Sequence, residues 1–426
     1  MPPIADHPLR YALANELHAR PFPSLGAPCT AVYLAIKQPE DAAARDRAAD
    51  LAHLIALLDR YGAPHPQPGA THYSGQIGRH TVKWESHTEF VTYTAFSDGV
   101  SARAFDPADL EVFPADWLDA IPGLRVTSAL IRIEVQTDPA RIDAGLADWF
   151  VPESLAVSTV LDGAAVVAGD FRIDNAGHQR FAVFVAPGTG SRRIGRIVQR
   201  LCEIETYKSM SMLGFSEVRE LSPRMNGIDT RLTRLMEDMR DEAKPADETL
   251  AQLLAVSAEV ETLVARSSFR FGATGAYETI VNQRIEVLRE DRFGGRQTFA
   301  EFMMRRYDPA MRTVKAAERR LAAMSDRAIR AGDLLRTRVD VERSAQNQAL
   351  LESMNARADA QLKLQRTVEG LSVVAISYYA VSILSYLLYP AADLMAVPRG
   401  WVMAGVTLPV VLLVWWLIRR VQRRMH

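Results

Sequence analysis

Lys83, Glu85, His87 and Glu89 occupy every second position of the string Val82-Lys-Trp-Glu-Ser-His-Thr-Glu-Phe90. In an extended chain alternate side chains share a face, so Glu85, His87 and Glu89 would offer one imidazole and two carboxylates to a divalent cation. Val82, Trp84 and Phe90 then fall on the opposite, apolar face. The same spacing equally describes a solvated sheet face with cross-strand ion pairs. Glu16 and His18 are further candidate donors from the early segment. His72, His80 and His87 show neither HExxH nor His-x-His spacing, and two cysteines, Cys29 and Cys202, exclude a cysteine-based zinc site. No cofactor is expected, a divalent cation at the Glu85–His87–Glu89 patch being the one exception.

A second set lies near the C-terminus. Ser372, Tyr379, Ser382, Tyr386 and Tyr389 recur at spacings of seven, three, four and three, which is one stripe of a helix, with Tyr378 and Ser385 beside it. Facing the axis of an oligomer, such a stripe lines a narrow polar path for a partly hydrated ion, with Glu369 at its cytosolic mouth. The alternative is helix–helix packing through small and hydroxylated residues. Neither apolar run holds a charged side chain, the usual mark of an ion route.

Other chemistry is thinner. The chain has no GxSxG, no Walker loop and no GxGxxG after a strand, so no enzymatic activity is expected. Arg192, Arg193, Arg196 and Arg200 open a helix, where Arg196 and Arg200 can pair with Glu203 and Glu205. Without interleaved aromatic residues they do not indicate nucleic-acid binding. Cys202, beside Leu201 on the apolar side of that helix, reads as an inert buried thiol.

The elements that must position these residues are legible in outline. The chain has 426 residues, 48% hydrophobic and 24% charged, with net charge -1, which is globular composition without a field that would recruit polyanions. The opening segment carries an acid and no apolar run, so no signal peptide is expected. Ala31–Ile36, Val82–Phe90, Arg125–Gln136, Ser154–Leu161, Ala164–Ile173 and Gln179–Val185 read as strands. Their turns fall at Asp162-Gly163 and Asn175-Ala-Gly177, and helices read near Asp41–Tyr61 and Ala140–Phe150. Residues 1–188 thus form an α+β domain with a largely antiparallel sheet. Residues 189–307 read as a helical bundle: a first helix ends near Gly214, a second runs from Met225, and further helical text spans Tyr277–Arg292. Residues 308–370 read as one long stalk helix. Val314, Leu321, Met324, Ala328, Ala331 and Leu335 keep a heptad-like stripe there, the pattern of a coiled coil.

Residues 371–389 and 401–418 are uncharged and close to the roughly 20 residues a membrane span needs. Trp401, Trp415 and Trp416 sit where headgroup-level aromatics belong. Lys363 and Arg366 precede the first run, and Arg419, Arg420, Arg423 and Arg424 follow the second in the basic tail 419–426. By the positive-inside rule both termini are expected in the cytoplasm. The expected partners are the bilayer and further copies of the chain.

Asp6-His-Pro-Leu-Arg10, Glu16-Leu-His-Ala-Arg-Pro21, Lys83–Phe90, Glu203-Ile-Glu-Thr-Tyr207 and Gln365-Arg-Thr-Val-Glu-Gly-Leu-Ser372 together resemble the signature strings of the DUF3422 family of bacterial membrane-anchored proteins. That resemblance covers nearly the whole chain and implies an inner-membrane location, but no activity. The order of elements is also similar to the CorA-type divalent-cation transporters, pentamers whose stalk runs into a pore-lining first span. Their Gly-Met-Asn motif is replaced here by Tyr386-Leu-Leu-Tyr389-Pro390, a departure that bears directly on cation selection. Two functions are therefore expected as alternatives: ion passage by a homo-oligomer, or a membrane-anchored cytosolic sensor or scaffold without transport.

Overall fold

The run Cys29-Thr-Ala-Val-Tyr-Leu-Ala-Ile-Lys37 is β-branched, aromatic and small, with no charge before its last residue, as suits a strand covered on both faces. In a computed structural model of the chain it forms β1 (Cys29–Lys37), and every residue of it is buried. The structure describes residues 4–16, 22–39, 42–241, 244–394 and 398–425. His18, and the side chains of Glu16, Tyr389, Arg423 and Arg424, lie outside the described residues.

The strands are β1, β2 (His72–Ile77), β3 (His80–Ser86), β4 (Phe90–Asp98), β5 (Leu124–Val135), β6 (Ala156–Val160), β7 (Ala165–Gly169), β8 (Gln179–Val185) and β9 (Asp291–Arg292). They form one sheet in the order β2-β3-β4-β1-β5-β8-β7-β6-β9. β5 and β8 pair in parallel, while the other ladders are antiparallel. The helices are α1 (Arg10–Glu16), α2 (Arg47–Arg60), α3 (Ala115–Asp119), α4 (Pro139–Trp149), α5 (Ser191–Asp238), α6 (Ala246–Glu286), α7 (Phe299–Arg306), α8 (Asp308–Leu394) and α9 (Arg399–Met425). Local chemistry sets several starts. The Asp46 carboxylate accepts from the amides of Ala48 and Ala49 at α2, and Asp138 precedes Pro139 at α4. Thr298 and Glu301 form a capping box at α7.

One face of the sheet packs Val32, Leu34, Ile36, Trp84, Tyr93 and Leu130 against Leu54, Leu57 and Leu58 of α2, Trp117 of α3, and Ile142 and Leu146 of α4. The other face carries Tyr33, Lys83 and Thr127, and α5 lies over it. This second face is therefore not solvated, which corrects one of the two readings of the Lys83–Glu89 alternation.

Contacts divide the chain into two units, Met1–Asp241 with Ala251–Ala331, and Glu242–Leu250 with Gly332–His426. The expected boundary at residue 188 does not separate compact bodies, because α5 closes one face of the sheet and β9 pairs with β6. Two helix ends also differ from expectation. α5 continues through Gly214 and Pro223 to Asp238. Gly214 serves a close approach rather than a break, since a Cβ there would lie 2.2 Å from Thr274 Oγ1 on α6. α6 ends at Glu286, short of the expected Arg292. In the first unit Val314, Leu321, Met324, Ala328 and Ala331 are buried, and α8 is tied to α5 and α6 by Arg320–Asp229, Lys315–Glu278 and Ser325–Glu261. This much of the heptad-like stripe is spent inside one chain.

In the second unit Leu335 and Val339 are buried, and α8 is exposed from residue 343 to residue 368. The C-terminal part of α8 lies against α9, burying Ser377, Val381, Ser385 and Val414. Among the described residues two helices are long and apolar enough to cross a membrane, and their most apolar windows are only 17% and 11% buried.

The close approach at Gly214 yields an expectation. Gly214→Val should destabilise the protein by about 1–3 kcal/mol through overpacking. Gly227→Ala, on the same helix with open space around it, should stabilise by roughly 0.5–1 kcal/mol. Denaturant unfolding of both variants checks the contrast.

Candidate functional site

The residues Lys83 to Phe90 divide their work between the sheet, a turn and the helices. Lys83 and Glu85 leave β3 on the α5 face, while Trp84 between them is buried in the opposite core. The chain then turns, because Arg45 gathers the turn's polar groups. Its guanidinium donates to Asp50 Oδ2 at 2.7 Å, Ser86 Oγ at 2.9 Å, the His87 carbonyl at 2.6 Å, and the Thr88 and Phe90 carbonyls. A planar, permanently charged fork spent on one turn fixes that turn's backbone.

The turn ends the alternation after Ser86. Phe90 restarts it as the first residue of β4 and faces the same side as Lys83 and Glu85, a correction to its expected apolar-face position. Glu89 is 1% exposed and is held by Arg270 Nη2 at 2.5 Å and by the Tyr277 hydroxyl, which donates at 2.8 Å. Burial, reinforced by the Glu89 carboxylate, pushes the Tyr277 phenol well above its ordinary range. Glu85 pairs instead with Lys83 at 3.2 Å, and the His87 ring stacks on Phe90 with centroids 4.4 Å apart. Glu85, His87 and Glu89 thus face different partners and do not converge on a cation. Among the described residues no group of three or more His, Cys, Asp or Glu side chains is placed to hold a metal ion.

What this face encloses is a cleft of about 240 Å³ between the sheet and α5. Its floor is a register effect. Lys83, Thr94 and Tyr33 stand side by side across β3, β4 and β1, and Glu85, Thr92 and Ala35 form the next row. Threonine and alanine are too short to fill the space beneath a helix that leucine or phenylalanine would occupy. The roof carries Gln199 and Glu203 of α5, and Arg284 of α6 joins them. Together they complete an unbroken line: Glu85 to Lys83, Lys83 Nζ to Gln199 Oε1 at 2.9 Å, Gln199 Nε2 to Glu203 Oε1 at 2.8 Å, and Glu203 to Arg284 Nε. The line holds two cations and two carboxylates, so its charges cancel within the protein. At the back, Tyr33 meets Thr206, whose hydroxyl donates to the Cys202 carbonyl at 2.9 Å. Burial holds the Tyr33 phenol and the Cys202 thiol well above their ordinary ranges, so both are neutral.

The remaining wall is apolar, built of Phe90, Phe96 and Val198. Phe22 and Pro23 also line the cleft. Their segment is fastened to the start of α5 by Leu25 N donating to Ser191 O at 3.1 Å and Ser24 Oγ donating to Ser191 Oγ at 2.7 Å. Gly195 admits this contact, since a Cβ there would fall 1.7 Å from Pro23 O. His87, Phe90 and Tyr207 also line a second cavity of about 500 Å³, so the three rings form a wall shared by both spaces.

The sequence pattern carries the β3 half of this site and not the roof. Arg200 donates to the Val287 carbonyl at 3.0 Å, Glu203 pairs with Arg284, and Glu205 takes Lys208, Thr127 and Ser209, which corrects the expected Arg196 and Arg200 pairing. Thr92 and Thr94 leave a signal, two short hydroxyl residues at alternate positions of the otherwise apolar run Phe90–Phe96 of β4. Arg284 leaves none. In the second unit the hydroxyl stripe does not form the seam with α9. Tyr379 and Tyr386 are exposed, Ser382 is half-buried, and Ser372 Oγ donates to its own helix at Val368 O, 2.8 Å away. Ser377 and Ser385 form the seam instead. Glu369 accepts from Gln365 at 3.0 Å.

The Glu89 cluster makes a stability expectation. Glu89→Ala leaves the Arg270 charge and the Tyr277 hydroxyl without an acceptor and should cost about 3–5 kcal/mol. Glu259→Ala, at the exposed Arg231–Glu259 pair, should cost under about 1 kcal/mol. Denaturant unfolding distinguishes the two, and equal losses would contradict the burial of Glu89.

A family model described as "Protein of unknown function (DUF3422)" matches residues 5–425. No curated protein and no solved structure matches the chain.

Proposed function

Because the chain belongs to the DUF3422 family, whose description assigns no activity, we propose its role from its own geometry: a membrane-anchored receptor for a small solute. The observation that carries this reading is the cleft under α5. A charge-balanced polar line facing an apolar wall in a concave cleft is the composition of a ligand site. A packing defect alone would be lined by apolar atoms.

The anchor half of the reading rests on the second unit. An apolar helix surface left more than four-fifths unburied needs a non-aqueous neighbour, and both candidate helices are in that state. Arg419 lies over the Trp415 ring at 4.6 Å and Arg420 over Trp416 at 5.0 Å, an arrangement suited to a headgroup layer. With arginines after the second helix and Lys363 and Arg366 before the first apolar window, both termini belong on the cytoplasmic side of a bacterial inner membrane. The receptor is the sensor among the two expected functions. Ion passage of the CorA kind stands as a second reading on one observation: Tyr379 and Tyr386 point out of the helix pair, where copies of the chain would meet. A monomer in detergent would exclude it, since two helices cannot enclose a pore.

Both halves are testable. The full chain should stay with membranes through an alkaline carbonate wash, and a chain ending at Glu369 should appear in the soluble fraction. Retention of the shortened chain would place the attachment elsewhere. Gently purified full chain should release about one small solute per protein on heat denaturation, detected by mass spectrometry, and Thr94→Phe should release none. Equal release from both would remove the cleft from the account.

A further inference from the structure

The receptor reading leaves its solute unspecified, and the cleft itself restricts the class. Four charged groups line it, and each already has a partner of opposite sign or an amide between them. A ligand with net charge would enter a space whose countercharges are spent, and an uncompensated charge in such a place is strongly disfavoured. A zwitterion meets the same obstacle at both its ends.

Hydroxyl groups do not. A hydroxyl donates one hydrogen bond and accepts others, so it fits wherever a donor and an acceptor stand side by side. The cleft has two such couples, Lys83 with Glu85 and Glu203 with Arg284. Each has capacity to spare: Lys83 Nζ has a third proton beyond its two contacts, and Arg284 engages Glu203 through Nε, leaving its terminal nitrogens free of protein hydrogen bonds among the described residues. Thr92 and Thr94 add hydroxyls from neighbouring rows of the floor. Phe22 and Phe96 also line the space and offer rings on which the C–H face of a saturated ring can rest, whereas Phe90 is buried behind His87. At about 30 Å³ per water the space equals roughly eight waters, enough for one six-membered ring with its substituents.

We propose that the cleft binds a net-neutral, polyhydroxylated ring, a monosaccharide or cyclic polyol, with its hydroxyls on the Glu85–Lys83–Gln199–Glu203–Arg284 line and its C–H face on Phe22 and Phe96. This assignment rests on the receptor reading and deepens it. The couples bind by donor–acceptor pairing rather than by net attraction, so affinity depends little on salt. Thr94 stands between Lys83 and Tyr33 in the register and is the floor residue whose enlargement blocks the space.

The test is calorimetric titration of the full chain, stripped of bound solute and held in a detergent without a sugar headgroup. The probes are D-glucose and myo-inositol as neutral polyols, glutamate as anion, putrescine as cation and glycine betaine as zwitterion. A neutral polyol is expected to bind saturably, roughly tenfold more weakly to Thr94→Val, which removes one hydroxyl and keeps the shape, and not at all to Thr94→Phe. Binding of a charged or zwitterionic probe that Thr94→Phe abolishes, with both polyols silent, overturns the solute class and leaves the receptor standing. Polyol binding that survives Thr94→Phe overturns the assignment to this cleft. No heat from any probe overturns the class, and a higher melting temperature for Thr94→Phe in that case overturns the receptor too, since the cleft would then be a void that a larger side chain fills.

Discussion

The structure depends on α5 lying over a sheet face that carries charge. A sheet covered on one side by α2, α3 and α4 would ordinarily leave such a face to water. Here the second face is covered as well, so its polar side chains must be satisfied from within. Lys83 with Glu85, Glu205 with Thr127 and Lys208, Tyr33 with Thr206, and Glu89 with Arg270 and Tyr277 are the solutions. Each joins residues from the sheet, or in the case of Glu89 from the turn between β3 and β4, to residues from α5 or α6, except Lys83–Glu85, which reaches α5 through Gln199. These pairs set where the helix sits along the strands. They do so at an energetic cost that apolar replacements would avoid, which gives them the character of register pins rather than of net stabilisers.

Two of the five strings that carry the family resemblance converge on this arrangement. Lys83–Phe90 supplies the β3 side, the turn and the aromatic wall, and Glu203–Tyr207 supplies the roof, the Tyr33 partner and the ring that faces Phe90. Arg45, remote from both, holds the turn between β3 and β4 in the shape that lets Glu89 and Phe90 face the helices. The unfilled space is a consequence of the same register, because Thr92, Thr94 and Ala35 are short where Tyr33 and Phe96 beside them are long.

Much of the fold could be read from residue patterns, and the failures have physical causes. Strand identities followed from alternation and turns from Asp162-Gly163 and Asn175-Ala-Gly177. Spacing alone ends the first long helix near Gly214, whereas the missing side chain of this glycine admits Thr274 and α5 runs on. Alternation puts Phe90 on the wrong face because a period of two carries no notice of a turn. The roof escaped notice because Gln199, Glu203 and Arg284 belong to helices whose placement over the sheet is a tertiary fact. Local spacing offered Arg200 for Glu203 within one turn of α5, yet the partner came from α6, some eighty residues away in sequence.

The claim that the charged face is enclosed is tested most directly by a double-mutant cycle on Lys83→Met and Glu85→Leu, measured by denaturant unfolding. Enclosure predicts that each single variant, stranding one buried charge, is less stable than the double, with a coupling energy above about 1 kcal/mol. Single effects that sum to the double within roughly 0.5 kcal/mol would contradict it and return Lys83 and Glu85 to a solvated surface.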